Sequence, residues 1–325
     1  MPVRLPFRPR RDAYPTDLWT KCPGCAEMLF NKQLDKTLRV CPHCSHHFRI
    51  PAKSRIAQLV DGGSFVERDS DLAPVDSLGF VDLKAYPDRL VAAQLTTGLK
   101  DAAIWGTAAM GGKPVSMCVM DFGFIGGSMG AVVGEKVARA GEAAIAERIP
   151  LIIVSSSGGA RMQEGTYALM QLVKTMSVVE RVKAAGIPYI SVLADPTTGG
   201  VFASFAVVGD VNISEPNALI RFAGDRVSAG TIGEELPAGY QRAEFWFSHG
   251  FVDRIVARSK LRDEIISLLG FLIAPVEIGP IEPAPPPIFS PRSLLSALTG
   301  VLSGDSNGDA HNGEAAGSRG EAPRG

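Results

Sequence analysis

The 325-residue chain is predicted to fold as an α/β domain with a largely parallel sheet, preceded by a small metal-bound module. Three observations predict it. Twice, at Ser157-Gly158-Gly159 and at Thr198-Gly199-Gly200, an apolar run leads into a glycine pair and a helical pattern follows. Two Cys-x2-Cys pairs stand fifteen residues apart near the start of the sequence. A composition of 46% hydrophobic and 21% charged residues is that of a globular protein and excludes disorder of the whole chain.

Taken in order, residues 1–20 carry Pro2, Pro6, Pro9 and Pro15 and predict a basic flexible arm, with the cysteine module at 21–50 and the main domain at 51–274. A helical stretch near 54–60 leads into it. Apolar residues at 104–110 and 115–120 flank the turn Gly111-Gly112-Lys113-Pro114 and read as a hairpin. A glycine-rich loop spans 123–130. Val133, Val137, Ala140 and Ala144 recur at helical spacing, so a helix is expected over about 131–148, stopped by Pro150. A buried-type strand at 151–155 meets the turn 156–161, and a second helix over about 163–185 ends on Gly186. A strand at 189–194 meets the turn Asp195-Pro196-Thr197-Thr198-Gly199-Gly200, and a short helix starts at Val201. Such alternation argues for βαβ crossovers with helices outside a parallel sheet. A last helical stretch covers 261–269, and the Pro- and Gly-rich composition of 275–325 predicts a disordered tail.

The formal net charge of -1 conceals a split, because residues 1–60 hold eleven Lys and Arg against four Asp and Glu, leaving twenty-two against thirty elsewhere. A basic head faces phosphate on nucleic acid, phosphate on a nucleotide-bearing cofactor, or an acidic partner; charge alone does not choose, and a merely solvated face is the bland alternative. RNA contact through this head is therefore one expectation. No run reaches ~18 apolar residues, so no membrane span is expected. The first eleven residues lack the apolar core of a secretory signal, and four of the five cysteines are paired in metal-ligand spacing. These features together predict a cytoplasmic protein. Cys118, in an apolar run, reads as a small buried hydrophobe.

Cys22, Cys25, Cys41 and Cys44 have the spacing of two knuckles that share one tetrahedral Zn²⁺. Four thiolates fill the coordination sphere, leaving no place for water, so one structural zinc per chain is expected. His43, His46 or His47 as a replacement ligand is the lesser alternative.

Two patterns in the main domain are decoys. Gly126-Gly127-Ser128-Met129-Gly130 matches G-x-S-x-G, the turn that carries a hydrolase serine, but it stands about eight residues beyond the preceding strand. Of five histidines, only His249 is left to serve such a serine, since three adjoin the ribbon and His311 lies in the tail. Residues 106–113 resemble a phosphate loop but miss its spacing, so ATP binding is not supported. What remains is glycine turns at helix starts. Their backbone N–H groups suit a developing oxyanion, and glycine admits a substrate close to the main chain. Enolate formation from an acyl thioester needs such donors, whereas the bland alternative is that both turns are only tight turns.

Cys22-Pro-Gly-Cys25, Cys41-Pro-His-Cys44, Phe124-Ile-Gly-Gly-Ser-Met-Gly130, Ser157-Gly-Gly-Ala-Arg-Met-Gln-Glu164 and Asp195-Pro-Thr-Thr-Gly-Gly200 occur in order. In these five motifs, and from Trp19 to about residue 270, the chain resembles the carboxyltransferase beta subunits of the multi-subunit acetyl-CoA carboxylases of bacteria and plastids. The resemblance implies a crotonase-like spiral of βαβ units carrying an N-terminal zinc ribbon. It implies an α2β2 assembly with a separate alpha subunit, and a larger complex with biotin carboxylase and a biotin carboxyl carrier protein. The implied reaction moves the carboxyl group of carboxybiotin to acetyl-CoA, giving malonyl-CoA for fatty-acid synthesis.

By the same resemblance, Gly159 or Ala160 supplies one oxyanion donor and Gly199 and Gly200 supply others, the latter pair at a helix start whose dipole adds to them. Gly158 and Arg161 are expected at the substrate, Arg161 toward a phosphate or carboxylate, with an ion pair to Glu164 as its structural alternative. The lack of a protein base is explained if loss of CO2 from carboxybiotin leaves a biotin anion to take the acetyl proton. Phe202 departs from the family pattern, which leads one to expect a small residue there, and either narrows the acyl pocket or packs into the core. Two rival classes stay open on the residues alone: a nucleic-acid-binding ribbon protein, and a serine hydrolase using Ser128.

Overall fold

The computed structural model describes residues 18–223 and 239–273. The expected arm, except for residues 18–20, and the expected tail over 275–325 lie outside the described residues.

The ribbon begins with a hairpin of β1 (Trp19–Lys21) and β2 (Met28–Phe30), followed by α1 (Asn31–Lys36). Each cysteine pair closes a tight knuckle on its first member: Ala26 N donates to Cys22 O at 2.8 Å, and Ser45 N to Cys41 O at 2.9 Å. Cys22, Cys41, Leu29 and Leu34 form a small apolar core of their own.

The main domain opens with α2 (Ala52–Leu59), β3 (Val66–Arg68) and α3 (Tyr86–Thr97). The expected hairpin follows as β4 (Ala103–Met110) and β5 (Lys113–Met120). Its two-residue turn places Gly111 and Gly112 at φ +57° and +75°, the left-handed region a type I′ turn requires at both positions. Asp61 accepts from both turn amides, at 2.9 and 2.8 Å, and these bonds hold its carboxyl below the usual range. Residues 106–113 are thus a hairpin rather than a phosphate loop.

Then come α4 (Ala131–Glu147), β6 (Leu151–Ser157), α5 (Thr166–Ala184), β7 (Tyr189–Thr198), α6 (Gly199–Phe202), β8 (Val211–Ser214), β9 (Ile220–Arg221), α7 (Ala243–Ser248), β10 (Arg254–Ile255) and α8 (Arg258–Leu272). Among the described residues the large sheet has the order β10-β8-β7-β6-β5-β4-β3, with β9 added on β7. β3, β4 and β5 pair antiparallel, and from β5 to β10 the pairing is parallel, with α4 and α5 as crossovers. All seven residues of β6 are buried, as expected for a strand covered on both faces.

Two boundaries differ from the sequence reading. β7 continues through a cis Asp195–Pro196 bond to Thr198, because β9 pairs with it at Thr197 and Thr198 and Leu219 O accepts from Thr197 N at 2.8 Å. The next helix therefore starts at Gly199 instead of Val201. The second long helix starts at Thr166, since Gly165, at φ +53° and ψ -130°, separates it from a single 3₁₀ turn over Met162–Glu164.

Glu215 fastens the ribbon to the sheet. It pairs with Arg55 at 2.6 Å and, through both oxygens, with Arg258 at 2.7 Å. Arg258 reaches on to the ribbon carbonyl of Leu38 at 2.9 Å, and its backbone N–H donates to His47 Nε2 at 3.2 Å. Burial alone would raise the Glu215 carboxyl; the Arg55 charge and the bonds from both guanidiniums overcome it and hold the group at about 2.

Candidate active site and metal centre

The four cysteine sulfurs lie within 4.8 Å of one another, with Cys22 Sγ to Cys44 Sγ at 3.6 Å and Cys25 Sγ to Cys41 Sγ at 3.8 Å. Zinc–thiolate bonds of ~2.3 Å in a tetrahedron require sulfur separations of roughly 3.8 Å, so this donor set fits Zn²⁺. No protein donor beyond the four sulfurs is needed, and His47 is turned away, bonded to Ser45 O and Arg258 N.

At the other centre, β6 and β7 end side by side and their glycine turns face each other. A Cβ placed on Gly199 would lie 3.1 Å from Gly159 Cα, and one placed on Gly159 would lie 3.3 Å from Gly200 N. A side chain on either glycine would press on the facing backbone. Gly159 at φ +115° and Gly199 at φ +60° also adopt backbone angles that side-chain-bearing residues rarely take. The structure thus brings Gly158, Gly159, Ala160, Gly199 and Gly200 together, with Gly158 exposed and Ala160, Gly199 and Gly200 half-buried.

The amides of the first turn are unequal. Gly158 N donates to Gly126 O at 2.8 Å, Gly159 N to Ser157 Oγ at 3.0 Å, and Arg161 N to Met129 O at 2.9 Å. Among the described residues Ala160 N is left as the amide of this turn without such a bond. On the second turn, Gly200 N lies in the first turn of α6, where amides have no partner within the helix.

Arg161 is not free to meet a substrate, which corrects the expectation for it. Its side chain is fully buried, and its donors go to Asp101 at 2.5 and 3.0 Å, to Ser128 O at 2.7 Å and Ser128 Oγ at 3.0 Å, to the Tyr86 hydroxyl at 3.1 Å and to Glu164 at 3.2 Å. Burial disfavours the guanidinium cation, but the Asp101 carboxylate more than reverses this and stabilises it further. Glu164 accepts from the Tyr86 hydroxyl at 2.7 Å and, with its other oxygen, from Ala131 N at the start of α4 at 2.6 Å. Burial first, then the neighbouring carboxylate, raises the Tyr86 phenol well above its ordinary value. The network locks the Gly159 turn to α3 and α4, and Asp101 and Tyr86 are members that no local pattern announced.

Ser128 follows a 3₁₀ turn, not a strand, and its Oγ accepts from Arg161. His249 sits exposed after α7, its Nδ1 against Phe245 O at 2.7 Å, and no described histidine bonds Ser128. Phe202 is buried, with its ring 5.0 Å from that of Trp246, so it packs into the core. Cys118 is fully buried, and burial pushes its thiol up to about 12, which leaves it inert.

Comparison with known proteins bears on this geometry. A carboxyl transferase domain matches residues 49–245, and an acetyl-CoA carboxylase zinc finger domain matches residues 19–44. The chain is 51% identical over 261 residues to the acetyl-coenzyme A carboxylase carboxyl transferase subunit beta of Citrifermentans bemidjiense, covering 80% of this chain and 93% of that protein. The chain belongs to the family of acetyl-CoA carboxylase carboxyl transferase beta subunits. The Thermus thermophilus member is 51% identical over 264 residues, covering 81% and 92% of the two chains. Among solved structures, transcarboxylase 12S with methylmalonyl-coenzyme A bound superposes with a TM-score of 0.58 at 25% identity, covering 69% of this chain and 41% of that one. A Pseudomonas malonate decarboxylase hetero-tetramer shares the fold at a TM-score of 0.54 and 21% identity, covering 79% and 92% of the two chains. The family is that of biotin-dependent carboxyltransferases with a structural zinc, which sets aside the hydrolase and the nucleic-acid-binding readings as primary functions. No helix among the described residues is long and apolar enough to cross a membrane.

Proposed function

We propose that the chain is the acetyl-CoA-binding half of a carboxyltransferase, moving the carboxyl group of carboxybiotin to acetyl-CoA to form malonyl-CoA for fatty-acid synthesis. The observation that carries this reading is the contact of Gly159 with Gly199, which brings the main chain at Ala160 beside that at Gly200. The Ala160 and Gly200 amides are the donors for the thioester oxygen, with Gly199 beside them, and Gly158 flanks the acyl group. As the acetyl methyl loses its proton, negative charge gathers on that oxygen, and donors fixed beforehand stabilise it without reorganising. Loss of CO2 from carboxybiotin would break its N–C bond, the freed ring nitrogen would take the acetyl proton, and the enolate carbon would then bond the released CO2. Arg161, Asp101, Tyr86 and Glu164 keep the first turn in place and touch no substrate.

The partners of this reading are an alpha subunit in an α2β2 assembly, the biotin carboxyl carrier protein and biotin carboxylase, in the cytoplasm. Support for the alpha subunit comes from the exposed apolar side chains Met162, Tyr167, Leu169, Met170 and Val173, on and just before α5, beside the first turn. Such a face marks a protein interface. Any RNA contact would fall on the ribbon, where Lys32 and Lys36 are exposed.

Co-purification with the alpha subunit and assay of malonyl-CoA from acetyl-CoA and carboxybiotin tests the reading. The assembled pair is expected to be active and the partner-free chain nearly inactive. An assembled pair that makes no malonyl-CoA contradicts the function, and robust synthesis by the chain alone contradicts the need for a partner.

A further inference from the structure

β6 and β7 leave regular pairing just before the glycine turns. From Ser155 to Ser157 β6 advances two residues, while its partners on β7 advance four, from Leu193 to Thr197. Side-chain hydroxyls bridge the strands there. Thr197 Oγ1 lies 3.1 Å from Ser155 O and 2.9 Å from Ala194 O, and Thr198 Oγ1 donates to Ser157 O at 3.0 Å. Ser157 is fully buried, and its own Oγ accepts from Gly159 N at 3.0 Å. A chain of Thr198, Ser157 and Gly159 therefore runs from the second turn to the first.

Thr198 stands directly before α6, where a threonine side chain ordinarily accepts from the second or third amide of the helix that follows. Here it makes no such bond. The second amide of α6 is that of Gly200, so a hydroxyl turned toward Ser157 leaves Gly200 N open. Ser157 does the opposite on the first turn, where it occupies Gly159 N and leaves Ala160 N as the open amide.

We infer that Thr198 is a positioning residue for carboxyl transfer: its hydroxyl sets the second turn against the first and stays off the Gly200 amide, with Ser157 as its relay to Gly159. This deepens the acyl-CoA reading above and rests on it. Neither hydroxyl touches the substrate. Together they select which two amides face the thioester oxygen and fix the distance between them, and a misplacement of about 1 Å in such a site costs up to about 10²-fold in rate.

The test uses the full chain, zinc-loaded and assembled with its alpha subunit. Thr198→Val keeps the shape and removes the hydroxyl, Thr198→Ser keeps the hydroxyl, and Thr197→Val removes the neighbouring hydroxyl, which reaches Ser155 O outside the turns. In Thr198→Val, kcat for malonyl-CoA synthesis should fall on the order of ten-fold or more, with the KM for acetyl-CoA moving less. Thr198→Ser should restore most of the rate. Thr197→Val should keep the parental kcat, although it too loses a buried hydrogen bond. Backbone amide hydrogen exchange over residues 157–161, followed by mass spectrometry, should quicken in Thr198→Val alone. Parental kcat or unchanged exchange in Thr198→Val overturns the inference, and so does an equal loss of rate in Thr197→Val or Thr198→Ser. If Thr198→Val does not assemble, Ser157→Ala, which breaks the chain at its other link, decides by the same two readouts. If exchange quickens as expected but the parent makes no malonyl-CoA, the carboxyltransferase reading fails and the tie between the turns stands.

Discussion

Arg161 and Asp101, 60 residues apart in sequence, form a two-pronged ion pair with both side chains fully buried. The same guanidinium holds Ser128 and Tyr86, so the residue directly after Ala160 is fixed from three separate segments. Removing one partner of a buried pair strands the other charge. Asp101→Asn or Arg161→Met should cost about 3–5 kcal/mol of stability in denaturant unfolding at neutral pH. A loss under about 1 kcal/mol, the range of exposed pairs, would mean that the pair does not anchor the turn.

The zinc makes a simpler prediction. Cys22→Ser or Cys41→Ser removes one of four thiolates, and the folding energy linked to metal binding goes with it. Both variants should lose zinc and fold or assemble poorly. Metal content near one zinc per chain in both would contradict the four-cysteine assignment.

Glu215 sets an acid limit. Its folded pKa of about 2 lies below the ordinary 4.5, so the ionised group stabilises the fold above about 4.5, and that stability is lost as pH falls toward 2. Unfolding measured between neutral pH and pH 2 should lose a component that Glu215→Gln lacks. Identical pH profiles for parent and variant would show that the clasp on the ribbon contributes nothing.

Ser128 separates the transferase from a hydrolase. Ser128→Ala deletes one acceptor of Arg161 and should cost about 1–3 kcal/mol of stability while carboxyltransferase turnover persists. Loss of turnover in a folded variant, with labelling of the parent by a serine-directed probe, would reinstate the nucleophile.

Much of this fold was legible in local pattern. The β4–β5 hairpin follows from two apolar runs around Gly111-Gly112, and α4 from the spacing of Val133, Val137, Ala140 and Ala144. The end of β7 was not, because Asp195-Pro196-Thr197-Thr198 carries turn signals and becomes strand only by pairing with Ile220 and Arg221. Arg161 shows the same limit at the site. An arginine beside a glycine turn suggests a substrate contact, and only the fold brings Asp101 and Tyr86 to enclose it. The facing of the two glycine turns is likewise a property of neighbouring parallel strands, although each turn was visible by itself.

Gly200 offers the most direct test of the oxyanion site. Gly199, held at φ +60° against Gly159 Cα, would add backbone strain to any substitution, whereas a Cβ at Gly200 meets Leu172 Cδ1 at 3.2 Å and Ala160 Cβ at 3.3 Å without such strain. Gly200→Val should crowd the thioester and displace an N–H donor. The measurement is malonyl-CoA turnover by the folded, zinc-loaded variant assembled with the alpha subunit, with acetyl-CoA affinity determined separately. The expected result is a fall in kcat on the order of 10²-fold or more, larger than the loss in affinity. Parental turnover in that variant would contradict the placement of the oxyanion at the two glycine turns.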